Sequence, residues 1–235
     1  RVPKQNNGES ARRVYETTHF ILPTVKRPGV LDIIHFQANN TEVDPRMGAM
    51  MICTRLAGRA IIRVVGRCED AQENNNLDLS ECQLMQVPDA VYHLLRHTAL
   101  QTCDLSGNVI TKIPPKFADK FSLITDLNLS HNQMSRLPEE LGSLRALQRL
   151  DISHNSFVAL PRAATHAPSL ITLNASHNHI IDVDMDMVSS APSLRRLDLS
   201  DNPLGPNCHS RLKALIRPSV AVSDRQVEDW EDLTI

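Results

Sequence analysis

Serine, histidine and aspartate stand together in Asp151-Ile152-Ser153-His154, the three residue types from which a hydrolytic triad is assembled. His131, His154 and His177 recur at intervals of 23 residues, and stacking three such segments side by side would bring adjacent imidazoles to about 5 Å, within reach of one shared metal ion. A third group is cationic. Arg55, Arg59, Arg63 and Arg67 recur every four residues, with no acidic residue until Glu69.

The first two readings dissolve on comparison with the rest of the chain. The histidine position is filled by Glu81, Gly107 and Asp201 in the segments LDLSECQL, CDLSGNVI and LDLSDNPL, while LNLSHNQM, LDISHNSF and LNASHNHI carry the histidines. Six copies of one motif, not a catalytic constellation, account for the juxtaposed Ser, His and Asp. Nothing around them supplies a strained nucleophile turn or an oxyanion hole, and no phosphate loop, dinucleotide fingerprint or HExxH segment is present. No catalytic residue, metal ligand set or cofactor is therefore assigned.

The motif itself dictates an architecture. Its asparagines, Asn108, Asn132, Asn155, Asn178 and Asn202, lie 24, 23, 23 and 24 residues apart, with Cys82 in the equivalent place 26 residues before the first. A period of this length means stacked supersecondary units, none able to bury its apolar face alone. The alternation Leu150-x-Ile152 has the period of a strand, which predicts both side chains inside and Asp151 and Ser153 outside. Each asparagine should turn the chain off its strand and satisfy buried main-chain groups, with Cys82 as a small, weakly polar substitute. The spacing of Leu137, Leu141, Leu144 and Leu147 predicts a short helix or 3₁₀ turn on the return. The fold class is α/β: a solenoid of about six repeats, with a curved parallel sheet on the concave side and short helices on the convex side.

With these motifs and the LPEELGSLRALQRLDISHN stretch, the chain resembles the short intracellular leucine-rich repeat proteins, the class typified by Ras-pathway scaffold proteins. The resemblance covers residues 77 to about 205. It implies a curved scaffold for protein–protein interaction and no catalysis, and it supplies no binding residues to carry over.

Outside the repeats, residues 1–46 are expected to form a poorly ordered extension, dispensable for folding. Residues 47–73 read as a basic amphipathic capping helix and linker, with Ile52, Leu56, Ala60, Ile61, Val64 and Cys68 as its apolar surface and Arg59 and Arg63 expected to be replaceable without loss of folding. Repeats occupy 74–205. Residues 206–235 form a C-terminal cap, with a helix over Arg211–Ile216 ended by Pro218, a degenerate strand at Val220 and Val222, and an acidic tail around Trp230.

Charge and cysteines narrow the partners. A net charge of −2 over 235 residues gives no global basic field for nucleic acid. No run approaches the ~18 apolar residues of a membrane span, and the chain opens on Arg1 and a polar stretch rather than a secretory signal. Five scattered cysteines without clustered disulfide caps point to a reducing compartment. We expect a cytoplasmic protein, monomeric by itself, with mitochondrial targeting by residues 47–68 as the alternative reading of the arginine helix. Its partner is expected to be another protein. Binding is expected on the concave face, at Asp104, Asp126, Asn128, Arg149, Asp151, Asn174, Arg196 and Asp198. The other reading is a regulatory subunit of an enzyme such as a protein phosphatase or small GTPase.

Overall fold

Seven three-residue strands pair in chain order, every pair parallel: β1 (Asn76–Asp78), β2 (Thr102–Asp104), β3 (Asp126–Asn128), β4 (Arg149–Asp151), β5 (Thr172–Asn174), β6 (Arg196–Asp198) and β7 (Ser219–Ala221). This computed structural model describes residues 47–223, with side chains in the first helix from residue 60 onward. The expected extension at 1–46 and the acidic tail around Trp230 lie outside the described residues.

The register repeats without slippage. Leu77, Cys103, Leu127, Leu150, Leu173, Leu197 and Val220 are partners in successive pairs, and all but Val220 are buried. Two residues on from each central one, Leu79, Leu105, Leu129, Ile152, Ala175 and Leu199 are buried as well, so each short strand leads one further inward side chain into the turn. The motif count of six thus falls one short of the strand count, because Val220 continues the column without the asparagine that marks the other repeats.

The returns are helical, as the leucine spacing requires. They are α2 (Asp89–Leu94), α3 (Lys116–Lys120), a 3₁₀ turn at Glu139–Ser143, α4 (Arg162–His166), α5 (Met185–Ser189) and α6 (Pro206–Lys213). Leu137, Leu141, Leu144 and Leu147 are all buried. Strands stack about 4.8 Å apart whereas a helix with its side chains is about 10 Å wide, so strand-side crowding places the sheet on the inner face of the arc. Helix α6 departs from the expected Arg211–Ile216. Pro206 supplies the fixed φ and the dispensable N–H suited to a first helical turn, and Ala214 closes the helix before Ile216 is reached.

The opening helix α1 (Met47–Asn74) runs unbroken to within two residues of β1, leaving no linker. Val64, Cys68 and Ala71 are buried in the same core as Leu77 and Leu79. They cover the open end of the first strand, where core and unpaired backbone would otherwise meet water. Burial pushes the Cys68 thiol up to about 11, with Glu69 adding to the effect. Ile61 is half-buried, but Ala60 is exposed, in contrast to its expected place on the apolar face.

Candidate functional site

The asparagine of each motif builds the frame on which the concave surface rests. Asn155 is typical. Its amide nitrogen donates to Leu129 O at 2.9 Å, Ile152 O at 3.1 Å and Ser153 O at 3.0 Å, and its Oδ1 accepts from Met134 N at 2.9 Å. Asn132, Asn178 and Asn202 repeat the pattern, each accepting from the repeat before it, at Ile110, Phe157 and Ile180. Asn108 accepts from both Cys82 N and Leu84 N. One side chain thereby serves its own turn and its neighbour's.

Cys82 cannot donate in this way, and the first repeat has no repeat before it. Arg67 of α1 fills the gap: its Nη1 donates to Ser80 O at 2.7 Å and approaches Cys82 Sγ and Asp78 Oδ1, both at 3.3 Å. It is therefore an internal anchor, unlike the exposed Arg63 one turn before it. The Cys82 substitution held the signal, since a turn that has lost its amide donor needs another. Asp78 is drawn below its ordinary value; burial opposes this, but the hydrogen bonds from Ser80 and the Arg67 charge outweigh it.

Two columns of side chains stand on the concave face. The first runs Asn76, Thr102, Asp126, Arg149, Thr172, Arg196, Ser219, and the second Asp78, Asp104, Asn128, Asp151, Asn174, Asp198, Ala221. All eight residues expected to bind fall in these columns. Asn76, Thr102 and Thr172 belong there too, and their place was readable from the same two-residue alternation. A shallow trough of about 430 Å³ spans β1 to β5 between the columns.

Their chemistry is unequal. Asn128 donates to Asp104 Oδ2 at 3.1 Å and Asn174 to Asp151 Oδ2 at 2.9 Å. Stacked carboxylates would repel across adjacent parallel strands, and an interleaved amide converts each such pair into a hydrogen bond. The other oxygen of each aspartate accepts from the serine two residues on: Ser106 N for Asp104, and both N and Oγ of Ser153 for Asp151. The expectation that Ser153 faces outward is therefore corrected. Ser130, Ser153 and Ser176 are buried, because the chain has already begun its turn and folds the hydroxyl beneath the preceding acid or amide. Asp126 is likewise occupied, by Arg149 Nε and by Thr125 Oγ1. At the other end, among the described residues, the Arg196 guanidinium has no partner and the Asp198 carboxylate accepts only from Ser200 N.

His131, His154 and His177 form a stacked column with ring centroids 4.0 and 4.1 Å apart and planes 12° from parallel. Ring nitrogen lone pairs lie in the ring plane, so parallel stacking keeps them side by side instead of converging them on one point. His177 Nε2 sits 3.2 Å from Asp201 Oδ2 at the end of the column. Desolvation first, then the facing His131 and His177 rings, hold His154 below its ordinary value despite opposing pulls from Asp151 and Asp201. The column occupies the left-handed turn position, where Glu81, Gly107, His131, His154, His177 and Asp201 all have φ between 51° and 65°. Gly107 among its members was the sequence signal for that backbone.

Catalytic geometry does not gather around Asp151, Ser153 and His154. Ser153 is buried beneath Asp151, whose oxygens are occupied by Ser153 and Asn174, while the His154 ring lies sandwiched between two other imidazoles.

A parallel array with one short strand, one asparagine turn and one helical return per unit is a leucine-rich repeat solenoid, and the chain belongs to the leucine-rich repeat family. The family model described as leucine rich repeat matches residues 98–157 and 145–204. Among individual proteins the chain is similar to leucine-rich repeat-containing protein 20 of Mus musculus, 40% identical over 173 residues that span 72% of this chain and 94% of the relative. It is also similar to the Homo sapiens protein of that name, 32% identical over 95 residues, or 39% of this chain and 52% of the relative. Among solved structures, a leucine-rich repeat protein of Leptospira interrogans superposes with a TM-score of 0.52 at 27% identity, covering 60% of this chain and 35% of that one. A TLR13–ssRNA13 complex structure gives 0.54 at 22% identity, covering 65% and 21%, a likeness of fold alone. Among the described residues no helix is long and apolar enough to cross a membrane.

Proposed function

We propose that the chain is a non-catalytic protein-interaction scaffold of the cytoplasm that captures a partner protein on its concave face. The observation that supports this reading most is the pair of side-chain columns held in fixed register across seven strands, with the Arg196 guanidinium and one oxygen of Asp198 uncommitted among the described residues at one end. Rigid strands hold such a surface without the entropic cost of ordering loops on binding, and solenoids commonly use this face. The committed ladder from Asp104 to Asn174 sets shape and spacing, while Arg196, Asp198 and Thr172 are the groups free to form new hydrogen bonds.

The test follows from that division. Arg149→Gln with Arg196→Glu should leave the circular dichroism unchanged and the melt nearly so, since the Arg149–Asp126 pair is exposed, while abolishing capture of a partner first identified by proximity labelling and then purified, since opposed charges at an interface cost several kcal/mol. A folded double variant that still binds at full strength would remove the concave face from consideration. Asp151 is left intact in this experiment, because its hydrogen bonds to Ser153 confuse binding with folding. A stable complex containing a catalytic subunit would recast the scaffold as a regulatory subunit.

A further inference from the structure

A second concavity, of about 930 Å³, opens on the flank where the chain enters the last strands and meets the strand columns at Ser219. Arg195, immediately before β6, and Arg217, two residues before β7, line it together with Gln148, Ser189 and Ser219. Its apolar lining is aliphatic, and Ile216, 93% exposed, stands beside Arg217. None of the lining residues carries a carboxylate. On a chain of net charge −2, that is a local reversal of sign.

The two guanidiniums differ from the other anchored arginines of the array. Arg67 and Arg149 each face an aspartate. Neither Arg195 nor Arg217 has a side-chain hydrogen bond or ion pair among the described residues, and the same holds for the hydroxyls of Ser189 and Ser219. Two cations lining one concavity without a carboxylate among its lining residues leave their charge uncompensated there. Each guanidinium offers five N–H donors in a planar fork that matches a carboxylate with two parallel hydrogen bonds, and the shared positive potential favours anions.

We propose that this flank is a docking site for an acidic peptide segment of a partner protein, in which carboxylates pair with Arg195 and Arg217 while an intervening apolar side chain packs on Ile216. Charge complementarity selects the acidic segment, and the exposed isoleucine distinguishes a peptide from a simple ion. The site shares only Ser219 with the concave columns, and its two cations stand outside them. It therefore goes beyond the concave-face reading and stands or falls without it.

The probe is a fluorescein-labelled decapeptide of glutamate with one central leucine, titrated with the full chain and followed by anisotropy. Arg195→Glu with Arg217→Glu should weaken binding by at least about tenfold. The same charge change at the exposed Arg145 and Arg162 should not. Replacing the central leucine by glycine should weaken the wild-type complex, and a matching lysine decapeptide should not bind. Circular dichroism establishes folding, and Arg195→Gln with Arg217→Gln provides a milder pair should the reversal perturb it. Equal losses in both charge-reversed pairs, no effect of the leucine, no binding of the glutamate peptide, or displacement by millimolar inorganic phosphate would each overturn the proposal. The last result would identify a small-anion site instead.

Discussion

Asn155 and Asp151 belong to the same motif and differ in what replaces them when they are lost. The Asn155 amide serves three carbonyls and one N–H in a buried turn, where water cannot enter. Asp151 serves Ser153 and Asn174 from a half-exposed position where water can substitute. Asn155→Ala should therefore cost about 2–3 kcal/mol and Asp151→Ala about 1 kcal/mol, measured by denaturant titration. The smaller cost is not zero, because Asp151 is part of the turn and not only of the surface. His154 gives a second test at this scale. Its folded-state value is depressed, so the unfolded chain binds the proton more readily; stability is fully present above the ordinary histidine value and declines as pH falls below it. NMR titration of His154 should give a midpoint that rises when His131 and His177 are both replaced by alanine, and an unmoved midpoint would mean the stacked rings do not couple.

Among the elements, α1 carries the clearest prediction. Val64 and Ala71 are seated on the first repeat, whereas Arg63 is exposed. Val64→Asp with Ala71→Asp should uncover β1 and bring aggregation, detectable by light scattering. Arg63→Gln should leave folding intact. Arg67→Met separates the anchor from the rest of the helix: it strands Ser80 O and should cost about 1–2 kcal/mol. A variant as stable as the wild type would show that water serves that carbonyl equally well. Helical periodicity made α1 legible in the sequence, since Val64 and Cys68 follow its turn, and the structure adds Ala71 to the same buried face. Periodicity did not separate Arg63 from Arg67. The two sit on one helix face, and only the position of the Asp78-to-Cys82 turn distinguishes them.

Over the whole molecule, each repeat touches only its neighbours, so a substitution is felt according to how many sides of it are packed. Leu150 is buried between β3 and β5, while Val220 lies half-buried on β7, the last described strand. Leu150→Ala should cost about 3 kcal/mol and Val220→Ala about 1 kcal/mol, with chemical denaturation as the readout. Equal costs would mean that β7 is as firmly enclosed as the middle of the array.

The recurrence of LxLSxN at intervals of 23 to 26 residues determined the solenoid, the inward leucines, the asparagine turns and the two outward columns, because strand alternation and stacking leave one way to bury that pattern. The asparagine period stops at Asn202, but the Val220-x-Val222 alternation still marked the degenerate last strand, and β7 (Ser219–Ala221) pairs there with Val220 beside Leu197. Neither pattern could foresee that Ser153 folds under Asp151, that Arg67 replaces a missing amide, or that Arg195 and Arg217 share one concavity. Those outcomes depend on distances between residues 2 to 22 positions apart, set by how each turn closes against its neighbour. Local pattern specifies which face a side chain occupies, and the packed array decides which group it meets there.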